Sequence, residues 1–131
     1  MPEFLLTYAI GILVFFAIDI VWLTKIARNL YQKEIGGLLL KKPIWSAAIV
    51  FYLIYIVGIV VFAVQRANLP IEALGYGALF GLIAYATYDL TNLATLKGFS
   101  LKVTMIDLAW GSFISGTTAF LTYLIYSFFS F

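Results

Sequence analysis

Apolar residues run along this chain in four long blocks, separated by short stretches that carry nearly all of the charge. The blocks cover about residues 4–24, 44–64, 73–95 and 103–126. At about 1.5 Å of rise per residue, about 20 residues cross a hydrocarbon core, so each block is long enough for one transmembrane helix. None of them alternates apolar and polar positions over about 10 residues, as the strands of a membrane barrel do. The pattern predicts an all-α integral membrane protein, a four-transmembrane-helix bundle that forms one membrane domain over residues 1–131.

Composition points the same way. The chain is 64% hydrophobic, 18% aromatic and 11% charged, well above the apolar share of a soluble domain. The first block resembles a secretory h-region. However, Glu3 stands where a basic start would be, the block is too long, and no small-residue cleavage site follows, so a retained helix is expected. Cysteine and histidine are absent, which excludes disulfides, thiol nucleophiles, zinc fingers and His-ligated haem, copper or di-iron centres. No metal and no cofactor are expected.

The loop charges orient the bundle. Lys25, Arg28, Lys33, Lys41 and Lys42 lie between the first two helices, and Lys97 and Lys102 lie between the last two. The opposite side has only Arg66. Basic residues near helix ends stay in the cytoplasm, so both of these loops are expected inside and both termini outside. The first loop reads as an amphipathic extension of helix one over residues 25–34, broken at Gly36-Gly37. Its five positive charges are first a topology determinant and second an attraction for anionic lipid headgroups. They are too few and too local for nucleic acid. Trp22 and Trp45 are expected at the cytoplasmic interface, with Trp110 deeper.

Three acids interrupt the apolar blocks: Asp19, Asp89 and Asp107. Each costs roughly 2.5 to 3.5 kcal/mol at membrane depth on insertion scales, more than helix packing alone justifies. Asp19 precedes Lys25 by six residues, Asp89 precedes Lys97 by eight, and Asp107 follows Lys102 by five. All three therefore fall in one layer, about 8 to 12 Å from the cytoplasmic side. A shared depth on helices of opposite direction predicts a shared ligand- or ion-binding site. If the carboxyls converge there, they cannot all ionise, and at least one should hold a proton. The plainer reading pairs each acid with Lys25, Lys97 or Lys102 to pin helix ends.

The neighbouring residues extend the candidate site. Tyr85, Tyr88 and Asn92 lie on or near the face of helix three that carries Asp89. Trp22 and Trp110 each follow an aspartate by three residues, a spacing that lets each indole cover its own carboxylate. The segments Ile18-Asp19-Ile20-Val21-Trp22 and Ile106-Asp107-Leu108-Ala109-Trp110 match each other on helices of opposite direction, as an inverted repeat would. Helix four carries Thr104, Asp107, Gly111, Ser115, Thr118 and Thr122 at steps of three or four, either as a packing seam or as the lining of a hydrated path. Gly77 and Gly81 form a small-xxx-small pair. With Gly111 and Ser115 they offer faces for a homodimer or a larger membrane complex.

The stretch Tyr85-Ala86-Thr87-Tyr88-Asp89-Leu90-Thr91-Asn92-Leu93-Ala94-Thr95-Leu96, followed by Asp107-Leu108-Ala109-Trp110-Gly111, resembles the bacterial membrane protein family called domain of unknown function 2177. Phe51-Tyr52-Leu53-Ile54-Tyr55 and Asp19 with Trp22 extend the likeness over essentially the whole chain. The resemblance implies a small four-helix protein of the bacterial inner membrane, with Asp89, Asn92 and Asp107 in signature segments.

Three classes of function fit these residues. The first is a small transporter or channel that binds or translocates a proton, cation or amine at the acidic site. The second is a non-catalytic transmembrane subunit of a larger complex. The third is a lipid-modifying enzyme with one aspartate as base and another as acid, although without histidine or cysteine no nucleophile can be named.

Overall fold

The structure is a computed structural model that describes residues 3–39 and 44–129, all of them in helices and short connections. The first helix, α1 (Phe4–Trp22), begins where the Glu3 carboxylate accepts the Leu6 N–H at 3.1 Å. It runs on through a π-helical turn at Leu23–Ala27 into α2 (Arg28–Ile35), and a 3-10 turn at Gly36–Leu38 closes the segment. The extension expected over residues 25–34 is thus present, but it is offset from α1 by the wider turn.

Next come α3 (Trp45–Ile59), which ends in a second π-helical turn at Val60–Val64, then α4 (Pro70–Thr95) and α5 (Leu101–Phe129). Helix α4 starts at Pro70, three residues ahead of the apolar block. Proline is favoured at the first helical position, and Glu72 in the first turn accepts the Asn68 N–H at 2.7 Å. Gly98, at φ +81°, makes the tight turn between α4 and α5. At the head of α5, Ser100 Oγ accepts the Val103 N–H at 3.1 Å and donates to Glu34 Oε1 at 2.9 Å, which ties α2 to α5.

The expected apolar blocks thus appear as helices, and among the described residues three are long and apolar enough to cross a membrane: Phe4–Leu38, Trp45–Val64 and Leu101–Phe129. Helix α4 has 26 residues, but glycines, tyrosines and Asp89 dilute its apolar content. Large apolar side chains such as Leu5, Leu13, Ile54, Ile83 and Phe113 face outward. A surface of that kind suits lipid rather than water. The inner core joins Phe15, Ile56, Ile59, Val60, Val64 and Ile114.

The closest helix contact is between α4 and α5. A Cβ on Gly77 would stand 2.6 Å from the Ser115 carbonyl oxygen, one on Gly81 would meet the Gly111 carbonyl and the Ser115 side chain, and one on Gly111 would enter the Tyr85 ring. Ser112 Oγ also donates to the Ala78 carbonyl at 3.0 Å. The Gly77/Gly81 and Gly111/Ser115 faces, expected to meet another chain, are consumed by each other. A helical hairpin of small residues buries both faces within the chain. Thr104, Ser115, Thr118 and Thr122 are fully buried, with Ser115 against Gly81 of α4 and Thr122 near Gly11 of α1, so these positions of the α5 stripe pack inside the bundle.

Candidate functional site

Near the α1–α2 turn the helices splay around a partly open cavity of ≈ 630 Å³. Helix α1 contributes Asp19 and Trp22, α2 contributes Tyr31 and Ile35, and α3 contributes Phe51 and Tyr52 with two alanines. Helix α4 adds Tyr85 and Tyr88, the turn after it adds Phe99, and α5 adds Val103, Asp107 and Trp110. The walls are mostly apolar and aromatic, with two carboxyls between them.

Each of those carboxyls is held by a tyrosine. Asp19, only 4% exposed, accepts the Tyr52 hydroxyl at 3.0 Å through Oδ2. Asp107, 5% exposed, accepts the Tyr31 hydroxyl through Oδ1. Among the described residues no lysine or arginine lines the cavity. Pairing with Lys25, Lys97 or Lys102 is therefore not what holds these acids. Lys25, Lys97 and Lys102 are exposed.

Asp89 is placed differently. It is fully buried on α4, off the cavity wall, facing the Asp107 carboxyl. Neither of its oxygens receives a hydrogen bond. This corrects the expectation of three acids around one pocket: two line it, and the third stands behind one of the two. Packing explains the division, because the tight α4–α5 contact turns Asp89 toward α5 rather than toward the cavity. No group of three acids capable of holding a metal forms among the described residues.

The tryptophans correct a second expectation. Trp22 is buried and stacks on Trp110, with ring centroids 4.4 Å apart and planes 10° from parallel. It is therefore no interfacial anchor, whereas Trp45 is exposed. Nor does each indole cover its own acid. Because α1 and α5 are antiparallel, the two Asp-x-x-Trp segments cross: Trp110 stands beside Asp19, and Trp22 beside the Tyr31 hydroxyl that binds Asp107. The Trp110 N–H is buried without a hydrogen-bond partner.

Of the remaining candidates, Tyr85 lines the cavity and Tyr88 stands at its exposed rim, edge-on to Phe99. Asn92 lies beside Tyr88 and does not reach the wall. Lys25, Arg28 and Lys33 are exposed and stand outside the cavity lining. Lys41 and Lys42 lie outside the described residues.

Sequence reasoning missed two of the residues that hold the acids. Tyr31 sits in the basic segment after α1, and the packing of α2 against α5 brings it to Asp107. Tyr52 sat in plain view within Phe51-Tyr52-Leu53-Ile54-Tyr55, a hydroxyl in an apolar helix with no partner on its own element. Beneath the cavity, Tyr55 and Ser115 share a hydrogen bond that joins α3 to α5.

No curated protein and no solved structure matches the chain. A family model does, and it covers residues 4–124, a span that holds every wall of the cavity and the buried acid behind it. On that match the chain belongs to the family described as predicted membrane protein (DUF2177).

Proposed function

We propose that this protein crosses the bacterial cytoplasmic membrane four times with both termini outside, and that its cavity binds an organic cation. With its 26 residues, α4 is about 39 Å long, enough to span a core of about 30 Å despite its glycines and tyrosines. The basic residues beside α2 and around Gly98 then share the cytoplasmic side.

The observation that carries the ligand reading is the pairing of two buried carboxyls with aromatic walls, without a lysine or arginine on the wall among the described residues. A buried carboxylate needs a counter-charge, and a tyrosine hydroxyl supplies a hydrogen bond but no charge. A cation seated against Asp19 or Asp107 supplies it. Ring faces add cation–π attraction of about 2 kcal/mol when water is excluded. The cavity volume suits a drug-sized apolar amine or quaternary ammonium rather than a bare metal ion.

The test is binding of tetraphenylphosphonium and of a small quaternary amine to the purified protein in lipid nanodiscs, followed by quenching of the stacked Trp22 and Trp110 at the cavity wall. Saturable binding in the wild type, lost in Asp107→Asn and weakened in Asp19→Asn, is the expected result. Binding indifferent to both substitutions, or absent for every cation, would sink the reading. Flux of a bound cation in proteoliposomes then separates a carrier from a receptor.

A further inference from the structure

Asp89 has no place in the cavity wall, yet a carboxyl buried without a donor is costly. Its side chain is 0% exposed, and both oxygens lack a donor. The group it faces is the Asp107 carboxyl. Two ionised carboxylates are acceptors only, so neither can satisfy the other, and their repulsion is little screened away from water. One proton removes both problems. The protonated member donates its O–H to the other, a charge-assisted hydrogen bond replaces the repulsion, and the pair carries a single negative charge.

Among the described residues the surroundings offer no other solution. From α2 the Tyr31 hydroxyl is already given to Asp107, and from α4 Tyr88 stands beside the pair at the rim. The titratable groups of α1 and α3 at the cavity, Asp19 and Tyr52, bond to each other. From α5 the pair is met by Asp107 itself. Asp107 is the carboxyl that links the two places, since it both lines the cavity and faces Asp89.

We propose that Asp89 and Asp107 share one proton while the cavity is free of ligand, and that an organic cation seating against Asp107 displaces it, so that binding exchanges one proton for one cation. This rests on the cation reading above. The carboxyl O–H bond breaks, its electron pair stays on the oxygen, and the proton leaves to water through the cavity mouth. One positive charge replaces another, so the pocket keeps its net charge.

The experiment is calorimetry of tetraphenylphosphonium binding in buffers of different ionisation enthalpy, paired with infrared spectroscopy of the ligand-free protein. The probe carries no proton of its own, so any proton released is the protein's. Release of about one proton per cation near neutral pH is expected, with affinity rising about tenfold per pH unit while the pair is protonated. The ligand-free protein should show a protonated-carboxyl C=O stretching band. In Asp89→Asn an amide N–H donates to Asp107 and holds it ionised, so the band disappears, the cation still binds, proton release falls to near zero and the pH slope flattens.

Absence of the band in the wild type overturns the shared proton, whatever binds. Band present and cation bound with no proton released overturns the exchange and leaves the cation reading standing. Band present with no cation bound overturns the cation reading and the exchange with it. Because the wild-type measurements decide each case, the proposal is falsifiable even if the variant does not fold.

Discussion

Trp22 and Trp110, 88 positions apart in the chain, stack face to face at 4.4 Å and so bring together two Asp-x-x-Trp segments on antiparallel helices. The stack closes one side of the cavity and turns each indole toward the other helix's acid or that acid's tyrosine. Aromatic pairs of this kind contribute about 0.5–1.5 kcal/mol beyond their buried area. A double-mutant cycle of Trp22→Ala and Trp110→Ala should give a coupling energy in that range in reversible unfolding from detergent micelles. A coupling near zero would mean that the rings only share a space.

The α4–α5 seam makes a sharper contrast within one helix. A Cβ on Gly81 would lie 2.6 Å from Ser115 Cβ, while one on Gly75 meets nothing within 4 Å. Gly81→Ala should therefore destabilise by about 1–3 kcal/mol through overpacking. Gly75→Ala should be neutral or slightly stabilising, because alanine is the better helix former. Thermal denaturation of the two variants in the same detergent checks this, and equal midpoints would contradict the close approach of the helices.

Ser100 holds two elements at once, capping α5 through the Val103 N–H and donating to Glu34 on α2. Glu34→Ala should speed amide exchange in residues 28–35 and leave the first turn of α5 protected. Ser100→Ala should speed exchange in both places and cost about 0.5–2 kcal/mol as a lost cap. Hydrogen exchange resolved by segment separates the two outcomes. Since α2 carries Tyr31 to Asp107, either change should also weaken cation binding.

The chain has no cysteine, so single cysteines report topology without background. Four crossings place Lys33→Cys and Lys97→Cys on one side of the membrane and Asn68→Cys on the other. Labelling of intact cells and of inverted vesicles with a membrane-impermeant maleimide reads this directly. If position 68 labels from the same side as position 97, α4 does not cross, and the four-span reading fails.

The pattern of apolar and polar positions was enough, by itself, to place every long helix to within a few residues at most ends and to single out the three acids, because both depend on local properties. A run of about 20 apolar residues has to satisfy its own backbone in lipid, and a charge inside such a run is costly wherever the chain goes. Small residues at Gly77, Gly81, Gly111 and Ser115 likewise marked faces made for close packing, although not that each face would find the other. Which side chains meet depends on how the helices are rotated about their axes, and these weakly amphipathic helices carry little signal for that angle. Only the tertiary structure turned Asp89 away from the cavity and against Asp107. It also crossed the two tryptophans and laid α2 against α5 so that a tyrosine from the segment after α1 reached an acid 76 residues away. Of these contacts, only Asp89 against Asp107 lies on the closest helix pair, α4 on α5, whose glycines let two backbones come near, while the tryptophan stack joins α1 to α5 and the Tyr31 bond joins α2 to α5.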